Sequence, residues 1–256
     1  MKFVIEFKRR KEKKMRTKSR NFTVITTMIL MFFFVGTAMA KDKAGPLPES
    51  LQEWVDGGKY IKFEGLDIFV HSSGRAPIMG HGVLVVHGYP GSSWDFSNVV
   101  AKVEKKTKIV VADMIGFGQS ETPLTGTFKE NFSLLRQADL YEAVAAAEGL
   151  ETVTLVAHDM GQTVGLELMT RQEEGKLPFR IKHAILLNGS TLVDMVQLTP
   201  GQQKSVKMPD KALAEAAPPE EWHKDIAPSY GPKMQSSKEK LNMALDCQVA
   251  QIYAND

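Results

Sequence analysis

Short, uninterrupted runs of apolar residues restrict the architecture of this chain more than any other feature of its sequence. The clearest of them are Val83–Val86, Ile109–Ala112, Val153–Ala157 and Ala184–Leu187. Runs of this kind predict strands that are buried on both faces, as in a parallel sheet. Helical stretches at 131–148 and Gly161–Arg171 lie between the strands. This alternation predicts an α/β fold with a doubly wound, mostly parallel sheet.

The segment before the first of these strands carries weaker patterns. Residues 41–58 are polar and contain Pro46 and Pro48, which predicts a loop. Two β-prone runs follow it, and Gly65 between them predicts a hairpin. These runs are Tyr60–Glu64 and Leu66–Val70.

The helix predicted at 131–148 has an apolar face that a charged residue interrupts. The face consists of Phe132, Leu135, Ala143, Ala146 and Leu150. Asp139 lies within it. An apolar face of this kind predicts burial of these side chains.

The first 40 residues differ from the rest of the chain in charge and hydropathy. Ten lysines and arginines and two glutamates precede an apolar run, Phe22–Val35, and a small-residue sequence that ends at Ala40. Residues 1–40 therefore match a signal peptide cleaved near Ala40, so the protein is expected to be periplasmic or secreted. An uncleaved membrane anchor at 22–40 and a cytosolic basic tail are the alternatives, and translation could begin at Met15.

The net charge changes sign without this leader. The whole chain has 32 basic and 30 acidic residues, and removal of ten and two of them leaves a net charge of −6. A weakly acidic body argues against nucleic acid as a partner. We expect a small-molecule substrate, and contact with a membrane only through an uncleaved leader.

Cys247 is the single cysteine, which excludes an internal disulfide and a cysteine-rich metal site. The sequence also lacks an H-E-x-x-H run. No metal and no cofactor is therefore predicted.

The last part of the chain, 198–256, has a different composition from the part before it. It carries six prolines and no strand pattern. Ser236 and Glu239 form a capping-box pattern. The apolar helix face behind it contains Leu241, Ala244, Leu245 and Ile252. This predicts the start of a helical cap that follows a core domain at 41–197.

The most informative stretch is Val153–Gly165, in which a strand runs directly into a helix. Asp159 lies at the junction, and the small residues Ala157 and Gly161 stand two positions before and after it. This is the spacing of a nucleophile elbow, in which only small neighbours fit around a strained central residue. Because no G-x-S-x-G sequence occurs in the chain, the elbow would carry a carboxylate. The alternative is that Asp159 is an ordinary helix N-cap.

Two further motifs directly follow predicted strands. His87–Trp94 reads H-G-Y-P-G-S-S-W, and Asp113–Ser120 reads D-M-I-G-F-G-Q-S. The second is not a dinucleotide-binding fingerprint, because Glu121 takes the place of the third glycine. Taken singly, each could be an ordinary turn, with His87 in a structural role.

In this order and on successive strands, these motifs and A-H-D-M-G-Q at 157–162 resemble the epoxide hydrolase and haloalkane dehalogenase branch of the α/β-hydrolases. Ile181–Leu192 also resembles the mesoderm-specific-transcript proteins of that branch. The resemblance covers roughly residues 59–195. It implies the α/β-hydrolase fold with Asp159 as the catalytic nucleophile.

The resemblance also implies a mechanism in two steps. The carboxylate attacks an electrophilic carbon to give an alkyl-enzyme ester, which a histidine-activated water then hydrolyses. The backbone N–H groups of Tyr89 and Met160 would form the oxyanion hole. The residues expected beside the substrate are His87, Gly88, Trp94 and His158, although His158 could instead be structural.

Departures from the family pattern narrow the expected chemistry. Met160 and Tyr89 stand where dehalogenases place the side chains that hold the leaving halide, so dehalogenation is disfavoured. Epoxide hydrolases use tyrosines of the cap to protonate the opening ring oxygen. Tyr230 and Tyr253 are the candidates here, with ordinary packing as the alternative. An epoxide hydrolase-like activity on a small apolar substrate is therefore favoured.

The catalytic acid and base of the family are not evident in the sequence. No strand pattern follows Leu187, and Asn188, which is not a carboxylate, stands where the acid could. His223 is the one histidine after residue 183 and so the candidate for the base, although it lies in the expected cap. We therefore expect the late strands to be missing, as in a fragment of a longer gene product. A non-catalytic binding protein of the same fold, an inactive fragment, and an ester or lactone hydrolase are the alternatives.

Overall fold

The computed structural model describes residues 47–75, 79–189 and 232–253, together with Lys224 and Ala227. The expected signal peptide at 1–40 and most of the expected cap at 198–256 lie outside these residues. Within the described part of the chain, no helix is long and apolar enough to cross a membrane.

Six strands form one mixed sheet. They are β1 (Lys59–Phe63), β2 (Leu66–Ser73), β3 (His81–Val86), β4 (Ile109–Ala112), β5 (Thr152–His158) and β6 (Arg180–Leu187). Their spatial order is β1-β2-β4-β3-β5-β6. The strand β2 runs antiparallel to both of its neighbours, and the other pairs are parallel. The mostly parallel sheet is confirmed, and the hairpin lies where Gly65 predicts it.

The hairpin turn consists of two residues with positive φ. Glu64 has φ 50° and Gly65 has φ 89°. Positive φ at both central positions is the geometry of a two-residue turn whose twist matches that of paired strands. The turn therefore fixes the register in which Phe63 pairs with Leu66.

Helices precede, separate and follow these strands in the chain. They are α1 (Glu49–Asp56), α2 (Ser97–Val103), α3 (Phe128–Asn131), α4 (Leu134–Ala147), α5 (Met160–Glu173), α6 (Pro232–Gln235) and α7 (Lys238–Tyr253), with a 3-10 helix at Ser93–Phe96. The helix α1 corrects the loop predicted at 41–58. Pro48 stands before this helix, and its carbonyl accepts the N–H groups of Leu51 and Gln52. A proline at such a place starts a helix and does not interrupt one.

Alternate side chains of the strands are buried on opposite faces of the sheet. Leu84 and Val110 belong to a cluster with residues of α4 and α5, including Tyr141. Val85 and Val111 belong to a second cluster with Trp54 of α1 and Val100 of α2. Helices therefore cover both faces, as the doubly wound arrangement requires.

The buried face of α4 differs in part from the predicted one: of the five predicted residues, Phe132 and Leu150 are buried, whereas Leu135 and Ala146 are exposed. Leu135 is 57% exposed, whereas Leu140 and Val144 are fully buried. Asp139 lies on the outer side and forms an ion pair with Arg171 of α5. The apolar residues of this helix permit two faces, and packing against the sheet selects the one that also contains Tyr141.

β6 is an edge strand among the described residues, and Ile185, Leu186 and Leu187 are each more than a third exposed. In α7, Cys247 is buried with its Sγ 3.3 Å from the Oγ of Ser50 in α1.

Candidate active site

The turn between β5 and α5 consists of a single residue with an unusual conformation. Asp159 has φ 53° and ψ −124°, and Met160 begins the helix. A non-glycine residue rarely adopts positive φ, because its Cβ meets the backbone, and such residues are frequent at functional sites. The backbone N–H of Asp159 donates to the carbonyl of Leu187 in β6 at 2.9 Å, which anchors the turn to the sheet.

The small residues around this turn are required by close backbone contacts. A Cβ atom on Gly161 would lie 2.2 Å from the carbonyl oxygen of His87 and 2.7 Å from that of Val86. A Cβ atom on Gly165 would lie 2.9 Å from the Cβ of Ala157. The helix α5 therefore packs against β3 and β5 at a distance that larger side chains would prevent.

The carboxylate of Asp159 lies between two backbone N–H groups. Its Oδ1 accepts a hydrogen bond from Tyr89 N at 3.0 Å and another from Met160 N at 2.6 Å. Gly88 permits this approach, because a Cβ atom there would lie 2.4 Å from the Cβ of Asp159. The structure thus brings together the three residues that the sequence suggested as nucleophile and oxyanion-hole donors.

This geometry differs from that of an ordinary helix cap. An N-cap residue usually has extended φ and ψ and accepts from the second or third N–H of its helix. Asp159 has positive φ and accepts from the first N–H of α5 and from Tyr89, which belongs to the loop after β3. The carboxylate therefore links two loops in addition to capping α5.

His87 lies beneath the site and is fully buried. Its Nδ1 is 2.9 Å from the carbonyl oxygen of Gly88, and its Nε2 accepts from Met114 N at 2.9 Å. Burial lowers the pKa of this imidazole to about 4, which outweighs the opposite effect of its bond to Gly88. Both ring nitrogens are thus engaged by backbone groups of the loops after β3 and β4.

The other residues expected beside the substrate occupy different places. Trp94 packs against the cluster that contains Trp54. His158 is half-buried, with its ring edge-to-face on Phe96 at a centroid distance of 6.4 Å. Gly88 packs against the side chain of Asp159. Tyr230, His223 and the side chain of Tyr253 lie outside the described residues.

Asp113 is a buried carboxyl whose role the sequence did not reveal. It follows β4 and is 1% exposed. Its Oδ1 accepts from Ser93 N at 2.6 Å and its Oδ2 from Gln119 N at 2.8 Å. Burial raises the pKa of this carboxyl to about 6, although its hydrogen bonds act in the opposite direction. Asp113 thereby joins the loop after β3 to the loop after β4.

Gly118 is the residue that could have revealed this role. It has φ 52°, and a Cβ atom there would lie 2.2 Å from the Oδ2 of Asp113. A glycine can adopt the positive φ that lets a loop return to an aspartate at its start. An aspartate directly after a buried strand, followed by such a glycine, therefore indicates a loop that closes on the aspartate side chain. Among the described residues, no three or more histidine, cysteine or acidic side chains form a group that could hold a metal ion.

Comparison with known proteins agrees with this arrangement. Residues 83–222, more than half of the chain, match the alpha/beta hydrolase fold family. The chain belongs to this family. The α/β-hydrolase is 38% identical to a protein of Mycobacterium tuberculosis named "Putative hydrolase LipZ". The match extends over 155 residues, which are 60% of this chain and 51% of that protein.

Two further relatives come from the branch that the motifs indicated. The human mesoderm-specific transcript homolog protein is 31% identical over 147 residues, which are 56% of the α/β-hydrolase and 43% of the relative. A soluble epoxide hydrolase of a Corynebacterium species is 29% identical over 85 residues, which are 33% and 28% of the two chains. The matched part of this α/β-hydrolase thus spans about half the length of these relatives or less.

Proposed function

We propose that this α/β-hydrolase acts on epoxides, with Asp159 as the nucleophile that forms an alkyl-enzyme ester. One observation carries the proposal: a single carboxylate oxygen, Oδ1, accepts the N–H groups of both Tyr89 and Met160. No described residue donates a hydrogen bond to the second oxygen, Oδ2. The carboxylate is therefore oriented with one oxygen bound and the other available for attack.

The first step opens the ring of the epoxide. A lone pair of Oδ2 attacks a ring carbon, the carbon–oxygen bond breaks, and the electron pair moves to the ring oxygen, which takes a proton from an acid. Asp159 becomes a hydroxyalkyl ester through Oδ2. A carboxylate suits this reaction because the ester that it forms can be hydrolysed, whereas the ether that a serine would form cannot.

The second step needs charge stabilisation at the oxygen that is already bound. Water attacks the Cγ of the Asp159 ester and loses a proton to a base, and negative charge develops on Oδ1. The N–H groups of Tyr89 and Met160 already donate to that oxygen in the resting state. Donors that need no rearrangement when charge develops contribute strongly to catalysis. Collapse of the intermediate breaks the bond between Cγ and Oδ2, and the departing alkoxide takes the proton held by the base. The carboxylic acid left on Asp159 returns its proton to the conjugate base of the acid used in the first step, so the diol is released and the carboxylate is restored.

The surroundings of Asp159 favour an epoxide over an alkyl halide. Departure of a halide needs side-chain donors near the leaving group, and Met160 and Tyr89 contribute backbone N–H groups that are already bound to Oδ1. The named chemistry of the Corynebacterium relative supports the same choice.

Mass spectrometry with ¹⁸O tests the proposal whether or not the ester persists. The protein is incubated with excess styrene oxide in H₂¹⁸O, and the peptide that contains Asp159 is then analysed. A persistent ester adds the mass of the epoxide to this peptide. Complete turnover instead places ¹⁸O in the Asp159 carboxylate, because water attacks Cγ.

Two variants make the assignment specific. D159N is expected to abolish both labels, whereas D139N, which changes an exposed aspartate of α4, is expected to retain them. If wild-type protein gives no adduct, no ¹⁸O at Asp159 and no diol, Asp159 is not a nucleophile toward epoxides. A non-catalytic binding protein would then be the better interpretation.

A further inference from the structure

The peptide unit between Gly88 and Tyr89 is held at both of its polar ends. Its N–H donates to Asp159 Oδ1 at 3.0 Å. Its carbonyl oxygen, which belongs to Gly88, is 2.9 Å from Nδ1 of His87. In a planar trans peptide the N–H and C=O groups point in opposite directions, so a bond that fixes one also fixes the direction of the other. The ring of His87 therefore controls where the Tyr89 N–H points.

The ring of His87 is held in one protonation state by its other neighbour. Its Nε2 is 2.9 Å from Met114 N, which can only donate a hydrogen bond. Nε2 is therefore the acceptor, and Nδ1 of the neutral imidazole carries the proton that is donated to Gly88. The ring is also fixed by an edge-to-face contact with Phe117, with centroids 5.4 Å apart.

Three hydrogen bonds thus form a continuous series that ends at the carboxylate. Met114 N–H donates to His87 Nε2, His87 Nδ1–H donates to the Gly88 carbonyl, and Tyr89 N–H donates to Asp159. Each bond polarises the next when a series is buried. An amide whose carbonyl accepts a hydrogen bond is itself a better donor, and here that amide is one of the two that bind Oδ1.

We propose that His87 is a positioning residue for the nucleophile, which aims the Tyr89 N–H at Asp159 by binding the Gly88 carbonyl. The proposal rests on the proposed function of Asp159. The bond from Nδ1 is the one that matters for the reaction, and the bond at Nε2 serves to select the tautomer. If His87 had only a structural role, loss of either bond would have the same effect on the protein, because each bond satisfies one buried backbone group.

Two substitutions separate these bonds. In H87N the side-chain amide stands at the place of Nδ1 and can donate to the Gly88 carbonyl, but it does not reach Met114. In H87Q the side-chain oxygen reaches the place of Nε2 and can accept from Met114 N, but the donor to Gly88 is lost. Each variant leaves one buried backbone group unsatisfied, so we expect similar losses of stability in urea unfolding.

The rate of reaction at Asp159 is expected to distinguish the two variants. With styrene oxide as the probe, H87Q is expected to label Asp159 about ten-fold more slowly than the wild type, because the carboxylate loses its fixed orientation. H87N is expected to restore the rate to within about three-fold of the wild type. Equal rates in H87N and H87Q, or a slower H87N, would overturn the proposal.

The Tyr89 amide provides a readout that does not depend on the chemistry. Its proton resonance in the full chain should lie downfield because it donates to a carboxylate, and it should move upfield in D159N. We expect it to move in the same direction in H87Q and to stay near its wild-type position in H87N. If the wild type does not react with epoxides but the amide shows this pattern, the proposed function fails and the positioning role stands. An unchanged Tyr89 resonance in H87Q would refute the positioning role.

Discussion

Gly88 packs directly on Asp159: a Cβ atom added to the glycine would lie 2.4 Å from the Cβ of the aspartate and 2.9 Å from the carbonyl oxygen of His158. The loop after β3 and the turn after β5 meet at this contact. Because it leaves no room for a methyl group, the distance between Tyr89 N and Oδ1 depends on the absence of a side chain at position 88.

G88A is therefore expected to separate the loop from the carboxylate. The added methyl group should destabilise the fold by about 1–3 kcal/mol, as overpacking usually does. It should also slow labelling of Asp159 by styrene oxide at least about ten-fold, because the oriented carboxylate is displaced. Urea unfolding and intact-mass kinetics measure the two effects.

Gly175 offers a matched control for this substitution. It has φ +70°, and a Cβ atom added there would meet no atom within 4 Å. G175A is expected to cost about 1–2 kcal/mol from the left-handed conformation alone and to leave the labelling rate unchanged. Similar labelling rates in G88A and the wild type would show that this contact does not orient Asp159.

The buried face of α4 can be tested by two leucine substitutions. L140A removes a fully buried side chain and is expected to lower the free energy of unfolding by about 2–5 kcal/mol. L135A changes a side chain that is 57% exposed and is expected to alter it by less than about 0.5 kcal/mol. Equal losses would mean that the helix is rotated relative to the structure.

Glu148 connects the end of α4 to the first strands through a buried carboxylate. Its side chain is 1% exposed, with Oε1 2.6 Å from Lys59 Nζ and Oε2 2.7 Å from Lys108 Nζ. Ser72 Oγ also donates to Oε2 at 2.7 Å. Burial alone would raise the pKa of this carboxyl, but the hydrogen bonds from Lys108, Lys59 and Ser72 lower it below 4.5. The carboxylate is thus favoured in the folded state.

E148Q is expected to destabilise the fold by about 2–3 kcal/mol at neutral pH, because it leaves Lys108 without its buried partner. The stabilisation by Glu148 is present above pH 4.5 and is lost as the pH falls through its lowered pKa. The free energies of unfolding of the wild type and E148Q should therefore become equal in acid. E174Q breaks an exposed pair with Lys176 and should change stability by less than about 0.5 kcal/mol. An E148Q penalty that is equal at pH 3 and pH 7 would contradict this account.

His87 and Asp113 are expected to affect the pH dependence of stability in opposite directions. In the folded protein the pKa of Asp113 is about 6, above its ordinary value of 3.8. Its contribution to the free energy of unfolding therefore decreases as the pH rises from 4 to 6. In the folded protein the pKa of His87 is about 4, below its ordinary value of 6.5. Its contribution to the free energy of unfolding therefore increases as the pH rises from 4 to 6.5. Each effect amounts to roughly 3 kcal/mol and largely cancels the other in the wild type.

The variants D113N and H87N should each reveal the effect of the remaining residue. The free energy of unfolding of D113N is expected to rise with pH between 4 and 6.5, relative to the wild type. That of H87N is expected to fall relative to the wild type between pH 4 and 6. Urea unfolding across this range measures both, and slopes of the same sign in the two variants would disprove the assignment.

Parts of the site could be predicted because they depend on local spacing. Small residues two positions on either side of Asp159, directly after an apolar run, specify a tight strand–turn–helix junction whatever lies around it. The hairpin at Gly65 and the alternation of apolar runs and helical patterns are equally local. Pro48 misled the prediction at 41–58, because a proline before a helix resembles one within a loop.

Other parts could not be predicted because they depend on residues far apart in sequence. The sequence placed His87 beside the substrate or in a structural role, but its tautomer follows from the backbone N–H of Met114, 27 residues later. Asp113 is satisfied by Ser93 and Gln119, which belong to two loops.

The sequence by itself determined the six strands, the two long helices after β4 and β5, and where one carboxylate stands on a strained turn, because periodicity and steric requirements act over a few residues. Only the tertiary structure decided which face of α4 is buried and that the two suggested N–H groups, of Tyr89 and Met160, meet at the same oxygen of Asp159. Those outcomes require β3 and β5 to lie side by side, and that pairing joins segments about 70 residues apart.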